Sequence, residues 1–146
     1  MTAPIIPGAE PWSADGTNGH GALVLHGFTG NCNSMRGVAE ALHRAGYAVE
    51  LPLLPGHGTS VEDMLGTHWG DWSSAVEAVY ESLASRCDKV VVVGQYDPIP
   101  LGILKPPGEA GIDVAVGEGQ TLGNRLDFGG PSFGFFAATE EHLRRM

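Results

Sequence analysis

Cysteine is scarce in this sequence, and so is positive charge. The 146 residues hold two cysteines, Cys32 and Cys87, and eight Lys and Arg against seventeen Asp and Glu, for a net charge of −9. Two isolated thiols exclude a disulfide-stapled scaffold and supply too few ligands for a cysteine metal site; the six histidines do not cluster with them. The acidic balance excludes nucleic acid and anionic membranes as partners, because a polyanion is repelled. No apolar run approaches the roughly twenty residues of a membrane-spanning helix, and no G-x-x-x-x-G-K-[ST] phosphate loop is present. No cation precedes Arg36, so no basic leader is expected. Together with the sparse, reduced thiols this leads to the expectation of a cytoplasmic protein without a metal or a resident cofactor.

What is abundant is glycine and proline, 22 and 10 residues. That excludes a helical bundle and fits a sheet fold with many tight loops. Residues 1–20 lack periodicity and read as a loose arm or a poor edge strand. Ala22 to His26 is a short apolar run that suits a buried parallel strand. Met35 to Ala45 carries Val38, Ala41 and Leu42 at helical spacing, with Gly46 placed as its C-terminal cap. Tyr47 to Leu53 reads as a second strand. From Trp69 to Ser85 the set Trp72, Ala75, Val76, Val79, Tyr80 and Leu83 predicts an amphipathic helix. Lys89 to Gly94 is the strongest strand, β-branched at four consecutive positions. Alternating strands and helices call for parallel pairing with right-handed crossovers. Beyond Gly94, Pro98, Pro100, Pro106 and Pro107 rule out a regular helix over Gln95 to Gly108. Ile112 to Val116 and Phe133 to Ala138 read as further strands, and Thr139 as the N-cap of a closing helix.

Two groups of motifs carry chemistry. In the first, Leu25-His26-Gly27-Phe28-Thr29-Gly30 ends a strand and turns into a helix, which presents backbone N–H groups where an oxyanion can be held. Leu53-Leu54-Pro55-Gly56-His57-Gly58 closes the next strand. The Ser34 to Tyr47 segment, Asp63-Met64 and Trp69 to Trp72 extend the pattern, which over residues 21–94 resembles the α/β-hydrolase superfamily, specifically its monoacylglycerol lipase and carboxylesterase group. The resemblance implies an oxyanion hole at Gly27 and Phe28, with the Phe28 amide as one donor. It also implies a nucleophilic serine in G-x-S-x-G directly after Val90 to Val93, where this chain reads Gly94-Gln95-Tyr96-Asp97-Pro98. The serine and the second glycine are absent, and Pro98 obstructs the helix that must follow. His26 and His57 read as loop-shaping residues, Phe28 as an oxyanion donor or a core aromatic, and Met35, Met64 and Trp72 as core or pocket wall.

In the second group, Asp97-Pro98-Ile99-Pro100-Leu101-Gly102, Leu104 to Glu109, Asp113 to Gln120 and Phe128-Gly129-Gly130-Pro131 follow one another. Together they resemble the decarboxylating glycine dehydrogenase of the glycine cleavage system, its first subunit or N-terminal half. The resemblance implies an aminotransferase-like fold that works with pyridoxal phosphate, the cofactor lysine lying in the other half of that enzyme. Here the segment contains only Lys105, in a proline-rich loop, so no cofactor site is expected.

Gly130-Pro131-Ser132-Phe133-Gly134 matches G-x-S-x-G literally, but no strong strand precedes it and Pro131 restricts the backbone. With Asp97 as acid and His142 as base, Ser132 makes a triad mimic whose chain order is foreign to the hydrolase fold. The expected architecture is α/β, a small three-layer sandwich with a short, mostly parallel sheet. The strands near Ala22, Ala48 and Val90 stand in the order second, first, third, with Ile112 to Val116 beside the third. Residues 95–146 are expected to pack into the same domain as 21–94. Three functions compete: a truncated, chimeric hydrolase without turnover that takes a small acyl or ester ligand, a remnant of glycine dehydrogenase, and a non-catalytic chimera. Self-association through an exposed sheet edge accompanies all three.

Overall fold

A computed structural model describes residues 3–123 and 132–143. The chain divides into two compact units, residues 1–91 and 92–146. In chain order the elements are β1 (Trp12–Ala14), β2 (His20–Val24), α1 (Cys32–Arg44), β3 (Ala48–Leu51), α2 (Val61–Leu65), α3 (Trp69–Ala84), β4 (Lys89–Tyr96), β5 (Val114–Glu118), β6 (Gly134–Ala138) and α4 (Glu140–Leu143). The fold is mixed α/β, as the alternation of patterns predicts.

In the first unit β1, β3, β2 and the start of β4 stand in that order, which is the expected second-first-third arrangement with β1 added. β2 and β3 are parallel, with Ala22 opposite Val49, and β1 runs antiparallel along β3. Side chains alternate between the two faces of a strand, and both strands use this fully. Ala22, Val24, Val49 and Leu51 face α1 and pack with Cys32, Met35 and Ala39. Leu23 and Ala48 face α3 and pack with Leu83. Helix, sheet and helix are the three layers of this unit. Tyr80, grouped with the apolar face of α3 by spacing alone, is 42% exposed, and Trp69 at the helix start is 76% exposed.

Capping sets the helix boundaries. α1 begins at Cys32, three residues earlier than the apolar spacing predicts, because the Asn31 side chain accepts the Asn33 amide at 3.0 Å. It stops as expected at Gly46, whose φ of 93° lies in the left-handed region and whose amide donates to His43 O at 2.8 Å. The short α2 escapes periodicity altogether. Its signal is the capping pattern Ser60-Val61-Glu62-Asp63, realised as Asp63 N donating to Ser60 Oγ at 3.1 Å. The N-terminal residues are tied to this unit: Ala9 is buried, Ile6 N donates to Gly58 O at 2.8 Å, and Ala3 N donates to Asp63 Oδ2 at 2.9 Å.

In the second unit β4, β5 and β6 stand in that order, β4–β5 parallel and β5–β6 antiparallel. β4 does not end at Gly94. It continues in register through Gly94↔Ala115, Gln95↔Val116 and Tyr96↔Gly117. The register is pinned at the β5 entrance, where Asp113 N donates to Val92 O and Val92 N donates to Asp113 Oδ2. As the prolines require, residues 97–113 hold only short 3₁₀ turns at Pro100–Gly102 and Pro107–Ala110. Among the described residues, no helix is long and apolar enough to cross a membrane.

Candidate functional site

The two hydrolase-like loops of the first unit meet through histidine. Gly30 N donates to Gly27 O at 2.9 Å, closing a tight turn with Phe28 and Thr29 at its centre. His26, only 4% exposed, fastens this turn to the neighbouring loop: its Nε2 accepts the Leu54 amide at 3.1 Å, and its Nδ1 lies 3.0 Å from Gly27 O. An imidazole that accepts at Nε2 and donates at Nδ1 is the neutral Nδ1–H tautomer. Burial lowers the His26 pKa; the bond to Gly27 O opposes this, and the neighbouring His57 adds to it. His26 is therefore a neutral tie between loops, in agreement with its loop-shaping reading.

His57 is equally buried. Its Nδ1 lies 3.1 Å from Pro55 O, and its Nε2 has no hydrogen-bond partner among the described residues. Its ring centroid is 5.1 Å from that of His26, 5.4 Å from Trp72 and 6.1 Å from Phe28. Trp72 is held in turn by Nε1–H bonds to Pro55 O and Thr67 Oγ1, both at 3.1 Å. Phe28 is not a core aromatic. It is 69% exposed and lies across Trp72 with ring centroids 5.6 Å apart. The turn that bears Phe28 thus rests on the packed rings of His57 and Trp72, with His26 beneath them.

Thr29 holds φ at 62°, a left-handed conformation that costs a threonine about 1–2 kcal/mol. Sequence reasoning passed over this residue; nothing in a threonine announces such a conformation. Thr29→Gly is expected to leave the fold intact and to raise the unfolding free energy by up to about 1 kcal/mol, since glycine's larger chain entropy offsets part of the relief. Chemical denaturation of the two proteins checks it.

The remaining candidate residues lie in the second unit, each engaged locally. Asp97 is exposed, its Oδ1 accepting from Ile99 N at 2.9 Å and from the Thr121 hydroxyl at 3.0 Å, a turn-capping arrangement. His142 Nδ1 lies 2.8 Å from Thr139 Oγ1, and Ser132 is exposed. Gly130 and Pro131, which complete the literal serine motif, lie outside the described residues, as does Phe128 to Gly129. A cavity of about 230 Å³ is bounded by Tyr96, Leu101, Pro107, Phe135 and Ala137 among others, and Asp113 is its carboxylate. Pyridoxal phosphate needs a Schiff-base lysine, a carboxylate at the ring nitrogen and a phosphate cradle. Lys105 stands exposed between the two 3₁₀ turns, no lysine lines the cavity, and the Asp113 carboxylate already binds the Val92 amide. The residues present do not fit that cofactor. Among the described residues no cluster of His, Cys, Asp or Glu is arranged to hold a metal ion.

The architecture defines a mixed α/β protein, and comparison with known proteins gives it relatives of two kinds. The chain is 42% identical over 137 residues to the thermostable monoacylglycerol lipase of Bacillus sp. (strain H-257), covering 84% of this chain and 53% of the lipase. A solved structure from a study of two metagenome-derived lipolytic enzymes, LipS and LipT, is 42% identical with a TM-score of 0.60, over 63% of this chain and 37% of that one. Residues 70–146, more than half of the chain, match the family model described as glycine cleavage system P-protein, and the chain belongs to that family. Within it, the probable glycine dehydrogenase (decarboxylating) subunit 1 of Carboxydothermus hydrogenoformans is 62% identical over 61 residues, 42% of this chain and 14% of the relative. The chain thus spans about half the length of the lipase and a small part of the dehydrogenase subunit.

The two similarities overlap rather than abut. The P-protein match starts at residue 70, inside α3 and well before Asp97. The lipase match covers more of the chain than residues 1–94 contain. An amphipathic helix leading into a β-branched strand serves any sheet covered on both faces, so α3 and β4 suit either pattern.

Proposed function

We infer that this chain is a hydrolase-derived scaffold that takes a small acyl or ester ligand at the Gly27–Phe28 turn and does not turn it over. One observation carries the reading. Where the lipase pattern needs a serine on a strained strand-to-helix elbow, β4 stays extended and paired with β5 through Tyr96, the residue at the serine position. A paired strand keeps that side chain on a sheet face and supplies no helix N-terminus behind it. A cytoplasmic setting belongs to the same reading; the free state of Cys32 and Cys87 supports it.

A short-chain p-nitrophenyl ester tests it. Hydrolysis is expected at the rate of buffer alone, and Tyr96→Ser is expected to stay at that rate, because a hydroxyl without the elbow gains neither base nor oxyanion geometry. Turnover in the parent that disappears in Ser132→Ala overturns the reading and makes Ser132 a nucleophile.

A second reading, a remnant of glycine dehydrogenase subunit 1, is favoured by the family match over residues 70–146. It shares the expectation that pyridoxal phosphate forms no aldimine absorbance band with this chain. A band lost on mutating Lys105 counts against both.

A further inference from the structure

We propose that the outer edge of β6 is a self-complementary pairing surface, on which a second copy of this chain adds its own β6 antiparallel about a dyad at Phe136. The alternation of the β5–β6 ladder fixes which groups face outward. At one end Gly119 N donates to Phe133 O at 2.7 Å, and at the other Thr139 N donates to Asp113 O at 3.0 Å. The register pairs Phe135 with Gly117 and Ala137 with Ala115 between them. In an antiparallel ladder, hydrogen-bonded pairs alternate with non-hydrogen-bonded ones. Residues 133, 135, 137 and 139 therefore turn their N–H and C=O groups toward β5. Gly134, Phe136 and Ala138 turn theirs away from it, and among the described residues no strand pairs on that side.

The edge is symmetric about its middle residue. Phe136 flanked by Gly134 and Ala138 allows Phe136 to pair with Phe136 of the second copy, and Gly134 with Ala138 on either side. Roughly six main-chain hydrogen bonds result. Such an isologous contact closes at two copies. The sequence Gly-Phe-Phe-Ala-Ala lacks the devices that protect exposed edges, having no proline, no charge and no bulge. β1, the edge strand of the first unit, shows the contrast: it is three residues long, preceded by Pro11 and followed by Asp15. Phe136 is itself 56% exposed, as an aromatic awaiting a cross-strand neighbour is. The inference stands apart from the ligand reading above, because it involves only the second unit's outer strand.

Sedimentation velocity on the full chain over a wide concentration series tests it. The expected result is a monomer–dimer equilibrium, abolished in Phe136→Pro, which removes an outward N–H and leaves the β5 ladder untouched. Phe136→Thr, which keeps the amide, is expected to retain the dimer. Amide hydrogen exchange covers the case of a poorly folded proline variant. In the parent, protection of Gly134, Phe136 and Ala138 amides is expected to rise with protein concentration, while Phe135, Ala137 and Thr139 stay protected throughout. A parent that remains monomeric, or forms open-ended aggregates, overturns the proposal. So does concentration-independent exchange at Phe136.

Discussion

Replacing His26 with alanine is expected to lower the unfolding free energy by about 2–4 kcal/mol, the sum of a cavity and a stranded buried donor. The ring is almost wholly buried, and its removal leaves the Leu54 amide without an acceptor. His26→Gln, whose side-chain oxygen can accept that amide, is expected to recover a substantial part of the loss. The same residue gives the protein an acid-sensitive term. Burial, ahead of the opposing bond to Gly27 O and the added influence of His57, lowers the folded-state pKa below the ordinary histidine value of 6.5. Below that ordinary value the unfolded chain binds a proton at this position that the folded chain does not. The stability from a neutral His26 is therefore fully present above about pH 6.5. It is lost as pH falls from there through the lowered folded value, at up to about 1.4 kcal/mol per pH unit. Denaturant unfolding of the parent and His26→Gln between pH 5 and 8 measures the difference. Parallel curves for the two proteins show that His26 does not act this way.

The second large effect is expected at Gly117. This residue pairs with Tyr96 on one side and Phe135 on the other. A β-carbon built there meets the Tyr96 carbonyl oxygen at 2.1 Å and the Phe135 ring at 2.3 Å. The ring can turn, but the carbonyl belongs to the ladder and cannot. Gly117→Val is expected to cost about 3 kcal/mol, within the range of overpacked positions that force a backbone shift. Adding Phe135→Ala relieves the ring contact alone, so the double variant is expected to stay destabilised. Thermal melting with hydrogen exchange at the β5 amides reads the outcome. A single variant that melts like the parent means that β5 does not lie in this ladder.

Much of this was legible in residue order because it depends on local physics. Val90 to Val93 forms a strand by β-branching alone, and the four prolines after Gly94 exclude a helix whatever surrounds them. The alternation in Ala22-Leu23-Val24 and Ala48-Val49 placed apolar side chains on both sheet faces, so a helix on each side was already implied. Gly46 marked the end of α1 because the left-handed region favours glycine. Tyr96, at the position where the hydrolase pattern has a serine, was visible as well.

Tertiary structure decided what depends on partners distant in sequence. His26 reads from sequence as a loop-shaping residue; only the Leu54 amide, 28 positions away, shows which loop it ties and fixes its tautomer. Phe28 looked apolar enough for the core, yet Trp72 and His57 offer it a platform at the surface, so it stands exposed above them. β4 runs past Gly94 because β5 arrives beside it, and the backbone groups of Gln95 and Tyr96 gain more in a ladder than in a loop. The sequence by itself determined the main strands and the two long helices, because their apolar periodicity and β-branching are local. The pairing of those segments decided which residues are buried, which amides are satisfied, and which edge of β6 carries no strand among the described residues.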